Sequence, residues 1–209
     1  MRLLHLALFL LAPLPAAAQD AQADTGAVAQ ALFAQDLLDL GLARKDPAAV
    51  LAAARLAAGI SPTDTDRIPD PPGDAVPPTH PDADFMFTAA RALSQQDDLL
   101  TDLVARTAAE RPGLPTRSVI RSSRGIAGGA AQVYQLPFFA AAMAEVGLLG
   151  DGTANLDLTV TTADGTPVCL DTAPGDRALC RFTPSENAGF QVTVTNRSDA
   201  AASYSLLTN

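Results

Sequence analysis

The chain has no tryptophan, two tyrosines and eight phenylalanines in 209 residues. A cleft that stacks sugar rings on aromatic faces is poorly supplied by that composition, which weighs against glycoside hydrolysis by paired carboxylates. Histidine is as scarce, with only His5 and His80 present. Nucleophilic catalysis needs a Ser or Cys, a base and an orienting acid, and the chain has no G-x-S-x-G run. Zinc needs clustered His, Cys or carboxylate ligands, which one histidine beyond the N-terminus and two cysteines do not provide. The expectation is a non-enzymatic protein with no catalytic residue. Lys45 is the single lysine beside 13 arginines, and the net charge is −9. Nucleic acids and anionic membranes both call for a basic patch, so neither is an expected partner. After the first 18 residues no apolar run is long enough to span a bilayer.

The N-terminus has a distinct pattern. Arg2 supplies a positive start, Leu3 to Leu14 is an apolar run, and Pro15-Ala16-Ala17-Ala18 offers small residues. That order predicts a signal peptide over 1–18 with cleavage near Ala18, and hence a periplasmic or secreted protein. Without it the chain carries 13 basic and 23 acidic residues, a net charge of −10. Two cysteines in an exported chain predict one disulfide, Cys169–Cys180.

Residues 19–112 read as a helical region. Val28, Leu32, Leu38 and Leu42 recur at helical spacing. Asp46-Pro47 then starts a second helix, with Asp as N-cap and Pro at the first helical position. Asp36 and Asp39 fall on the first helix and read as a solvated face. Residues 61–83 form a Pro-rich loop, expected to be an extended, poorly ordered connector. Its aspartates, from Asp64 to Asp74, do not make a calcium loop, because Ile68 and Ala75 occupy ligand positions. A second helical hairpin is expected over 84–111, from the apolar faces Phe85, Met86, Ala89, Ala90, Leu93 and then Leu99, Leu100, Leu103, Val104. The two hairpins make a small bundle.

Residues 113–209 read as β. Tyr134, Leu136 and Phe138 alternate with Val133, Gln135 and Pro137; Leu156, Leu158 and Val160 alternate with Asp157, Thr159 and Thr161; Phe190, Val192 and Val194 alternate with Gln191, Thr193 and Thr195. Period two means one buried and one wet face. Asp164-Gly165 marks a tight hairpin. Seven or eight short strands with turns between them predict an antiparallel β-sandwich, and the whole an α+β protein. Val168 and Leu170 should share an apolar face, which turns Cys169 the other way, while Cys180 shares a face with Phe182; a bulge or a twist between Cys180 and Phe182 would reconcile these.

Asn155 to Val160, the Asp164-Gly165 turn, Cys169 to Phe182, Phe190 to Val194 and the terminal Tyr204 strand resemble a bacterial pre-peptidase C-terminal domain, over about residues 115–209. The resemblance implies a jelly-roll-like sandwich of the kind appended to secreted proteins, where it often follows a peptidase and is either removed or binds substrate or partner. Some related sandwiches bind calcium, and Asp151, Asp157 and Asp171 are the metal ligands that this implies. The functional expectation is a protein-interaction or binding module with a protein partner in the cell envelope. Its alternatives are a calcium-dependent ligand-binding module and an accessory domain of a secreted hydrolase system.

Overall fold

The computed structural model describes residues 26–78, 80–110 and 117–209. The expected signal peptide and the joint near Arg111–Thr116 lie outside those residues. The first helical hairpin is α1 (Ala27–Arg44) and α2 (Pro47–Ala58). Lys45 takes the left-handed conformation at φ 53° and ends α1. The Asp46 carboxylate accepts the Ala48 and Ala49 N–H groups at 2.9 and 3.1 Å and starts α2. The second hairpin, α3 (Ala83–Ser94) and α4 (Asp98–Ala109), is built in the same way, with Asp82 and Asp97 as N-caps.

Among the described residues nine strands follow or interleave: β1 (Ile60–Asp64), β2 (Arg117–Ile126), β3 (Ala131–Phe138), β4 (Ala144–Gly150), β5 (Leu156–Thr162), β6 (Pro167–Asp171), β7 (Arg177–Phe182), β8 (Ala188–Asn196) and β9 (Ala202–Thr208). They form two sheets, in the orders β1-β2-β9-β4-β7 and β3-β8-β5-β6. Without β1, the eight antiparallel strands follow the order of a jelly roll, two interlocked Greek keys. The alternating residues Tyr134, Leu136, Leu156, Leu158, Val160, Phe190, Val192 and Val194 all point into the core between the sheets. The Tyr134 and Tyr204 hydroxyls meet there at 2.7 Å, and Tyr204 donates to Gln132 Oε1 at 2.5 Å.

The cysteines join β6 of one sheet to β7 of the other, with Cα atoms 5.7 Å apart. Val168 and Leu170, expected inside, are 37% and 62% exposed. The bulge lies elsewhere than expected: Val160 pairs with Cys169 but Thr161 with Pro167, so Val168 is the extra residue. Cys169, in regular register opposite the inward Val160, faces inward beside Cys180, and Leu170, opposite Thr159, faces out. Phe182 closes the same end of the core, its ring 5.2 Å from Phe138 and 5.0 Å from Phe190.

Two features depart from the sequence reading. Residues 61–83 are not a loose connector. Their start is β1, which pairs in parallel with β2 from Ile60↔Arg117 to Asp64↔Arg121. Further on, Asp70 and Val133 exchange backbone hydrogen bonds at 2.9 Å, and Asp74 O accepts the Gly125 N–H at 2.9 Å. Proline cannot donate, but extended backbone suits it and an edge strand tolerates it; the residues between the prolines make the bonds. Second, β4 is buried at every position. Its outer face is covered by α1, which packs Val28 and Leu32 against Val119, Leu149 and Leu207. Gly147 makes this possible: a Cβ there would stand 2.4 Å from Val28 Cγ1 and 2.7 Å from Leu32 Cδ1. The molecule is therefore three layers: helices, sheet and sheet.

Candidate functional site

The helix–sheet joint is fixed by charged groups at both ends. Glu145, fully buried on β4, accepts the Val28 N–H at 3.0 Å and Arg181 Nε at 2.9 Å. Its carboxylate caps α1, whose own N-cap residue, Gly26, has no side chain to do so. An anion at that position also meets the positive end of the helix dipole. At the far end Asp36 and Asp39 are not a free solvated face. Each accepts one arm of the Arg177 guanidinium at the start of β7.

Between these anchors the joint opens into a cavity of about 460 Å³. Small residues of α1 and α2 form one wall, among them Ala34 and Ala58; Val119, Leu149 and Leu207 on the outer face of the sheet form another. Ile60 and Pro62 of β1, with the residues that start α3, complete it. His80 stands at its edge, held in place by a 2.8 Å contact from Nε2 to Gly150 O. Because a carbonyl only accepts, Nε2 carries the proton and Nδ1 is bare; Nδ1 is buried without a partner among the described residues. Burial holds the His80 pKa below its usual value, helped by nearby Arg177 and Arg121 and opposed by the Gly150 bond and by Asp176. Gln35 is the polar residue that sequence reading passed over. It lies three residues from both Leu32 and Leu38 on the buried stripe of α1, and it is 8% exposed. A polar residue on a core stripe was the available signal.

The proposed calcium ligands Asp151, Asp157 and Asp171 occupy separate settings. Asp151 accepts the Ser203 N–H at 2.7 Å and the Thr153 N–H at 3.1 Å. Burial pushes its pKa up, but these bonds and the Thr153 hydroxyl outweigh it and hold the carboxyl below the usual range. Asp157 accepts Arg197 Nε at 2.6 Å, and Asp171 accepts the Leu179 N–H at 2.9 Å. Among the described residues no three His, Cys, Asp or Glu side chains are grouped to hold a metal ion. No described helix is long and apolar enough to cross a membrane.

The outer helix surface carries unburied apolar residues. Phe33 and Leu40, one stripe of α1, are 56% and 45% exposed; Leu99 and Leu103, one stripe of α4, are 82% and 44% exposed.

The fold is thus an α+β protein built on a jelly-roll sandwich. No family model and no curated protein matches the chain. Among solved structures it is similar to the pre-peptidase C-terminal domain of a Bacillus anthracis collagenase, at 13% identity and TM-score 0.38 over 43% of this chain and 87% of that one. It is similar to PliG, a periplasmic inhibitor of g-type lysozyme from Aeromonas hydrophila, at 13% identity and TM-score 0.34 over 44% and 84%. A third is the C-terminal CBM6 of the Zobellia galactanivorans laminarinase LamC, at 11% identity and TM-score 0.29 over 42% and 80%. At these identities and scores no ligand or activity transfers to this chain.

Proposed function

We propose that the protein is exported, loses residues 1–18, and works outside the cytoplasm as a non-enzymatic module, related to pre-peptidase C-terminal sandwiches, that binds another protein of the cell envelope. The Cys169–Cys180 bridge supports an oxidising compartment. The observation that carries the binding reading is the pair of exposed apolar stripes, Phe33/Leu40 and Leu99/Leu103, on the helices. Residues at i, i+4 and i, i+7 lie on one face of a helix, and exposed apolar area of that kind marks interaction surfaces. The sandwich then serves as the rigid base that presents the helices. A photo-crosslinker placed at position 33, 40 or 99 in the native envelope is expected to give one discrete protein adduct. The same group at the exposed Gln135 of β3 should not give it. No adduct from any helix position, or equal adducts from Gln135, overturns the reading.

A further inference from the structure

We propose that the cavity between the helices and the sheet binds a neutral, mainly apolar small molecule carrying one hydroxyl or N–H, which donates a hydrogen bond to Gln35 Oε1. This goes beyond the protein-binding role, which uses the opposite, outward faces of the helices.

The size is right: about 460 Å³ falls within the range of pockets that enclose small organic ligands. The wall is firm, because β4 is fully buried and paired on both sides, with β7 and β9. The space exists because α1 and α2 turn alanines toward it: Ala31, Ala34, Ala57 and Ala58. Larger side chains at those positions would fill it with the protein's own atoms.

The chemistry of the ligand follows from which wall groups already have partners. Arg121 is held in a fork by Asp64, at 2.7 and 3.0 Å. Asp82 accepts the Phe85 N–H at 2.8 Å as the cap of α3, and Asp84 is partnered as well. Ser205 pairs with Ser123 at 2.8 Å. His80 points its one proton at Gly150 O. An anionic ligand would find no unpaired cation there, since Arg121 is taken by Asp64, and burying an unpaired charge is costly. Anions are therefore excluded, and the apolar walls select against a strongly hydrated cation.

Gln35 supplies the remaining directional group. Its Nε2 donates to Pro81 O at 2.9 Å, which fixes the orientation of the amide and leaves Oε1 facing away. Among the described residues Oε1 has no hydrogen-bond partner, in a side chain that is 8% exposed. The atom is not fully enclosed and reaches open space. An acceptor so placed calls for a donor, because an unmade hydrogen bond at a buried group is unfavourable.

Three probes of one shape test this on the full chain: 1-naphthalenemethanol, its methyl ether and 1-naphthoate. Without tryptophan the protein leaves naphthalene fluorescence unobscured. The alcohol should bind with one-to-one saturation. The ether, which cannot donate, should bind roughly 3- to 10-fold more weakly, the loss of one neutral hydrogen bond. The carboxylate should bind at least about tenfold more weakly. Ala58→Leu should abolish binding of all three while leaving the melting temperature equal or higher. Gln35→Leu should erase the difference between alcohol and ether. Alanine-methyl NMR of the unmodified protein gives a readout that needs no variant: shifts should be confined to the cavity alanines. The proposal fails if no probe saturates, if Ala58→Leu leaves binding unchanged, if 1-naphthoate binds most tightly, or if the methyl shifts lie elsewhere. Those results leave the crosslinking test untouched.

Discussion

The helical layer and the sandwich build their cores from different materials. The sandwich packs Leu148, Leu156, Leu158 and Leu206 with two tyrosines and a trio of phenylalanine rings, and locks two strands with a disulfide. The helices pack Ala53, Ala54 and Ala90 around Leu38, Val50, Leu51, Met86 and Val104. Small residues let helices approach closely: at Gly41 a Cβ would stand 2.9 Å from the Val50 backbone nitrogen. They also remove less apolar area from water per residue, and burial stabilises in proportion to that area, by roughly 25 cal/mol per Å². Helices of 12 residues, as α2, α3 and α4 are, gain little from propensity alone. The helical layer rests on the outer face of the β1-β2-β9-β4-β7 sheet and on the Glu145 cap, and we expect it to depend on the sandwich more than the sandwich depends on it.

Reduction of Cys169–Cys180 should have the largest effect. The bridge closes a short loop of 11 residues' separation, and its loss should destabilise the sandwich by about 3 kcal/mol, read from urea unfolding with and without reductant. If the helices depend on the sandwich, amide exchange in α1 should accelerate by a matching amount. Unchanged α1 exchange would reverse the dependence. Gly147→Val comes second. The new side chain collides with Val28 and Leu32, and such overpacking costs about 1–3 kcal/mol. Here α1 exchange should accelerate while the β5 and β8 amides stay protected; equal loss in both would mean that the layers unfold as one unit. The smallest effect concerns His80, which belongs to the joint. Its pKa lies below the ordinary value in the folded protein because of burial. As pH falls the unfolded chain takes up this proton first, so stability declines from the ordinary histidine value of 6.5 downward and levels off once the folded residue titrates. His80→Asn should flatten that part of the melting-temperature profile, and an identical profile in the variant would show that His80 does not contribute.

Local signals carried most of the fold. Asp46-Pro47 marked the turn between α1 and α2, and the alternations at Leu156–Val160 and Phe190–Val194 marked the central strands, because caps and period two are properties of neighbouring residues. What escaped depends on what lies above an element. Apart from Glu145, Ala144–Gly150 is apolar without alternation, the pattern of a strand covered on both faces; the helix that covers it meets Glu145 from 117 residues earlier. Val168 and Leu170 misled for a related reason: they share one face of the edge strand β6, but it is the outer face, because Cys169 takes the inner one opposite Val160. The cavity was not legible at all, since its walls come from α1, α2, β1, the start of α3 and the sheet. Only Gln35, a polar residue on an apolar stripe, betrayed it.

The Glu145 cap also sets an order of events. Val28 and Glu145 are 117 residues apart. A chain made from its N-terminus therefore has all of α1 in solution, its first turn uncapped, long before β4 exists. Closing so distant a contact costs chain entropy that only an assembled partner offsets. α1 thus meets its cap only after β4 has been made, on a sheet in which β4 pairs with β9, a strand that follows it in the chain.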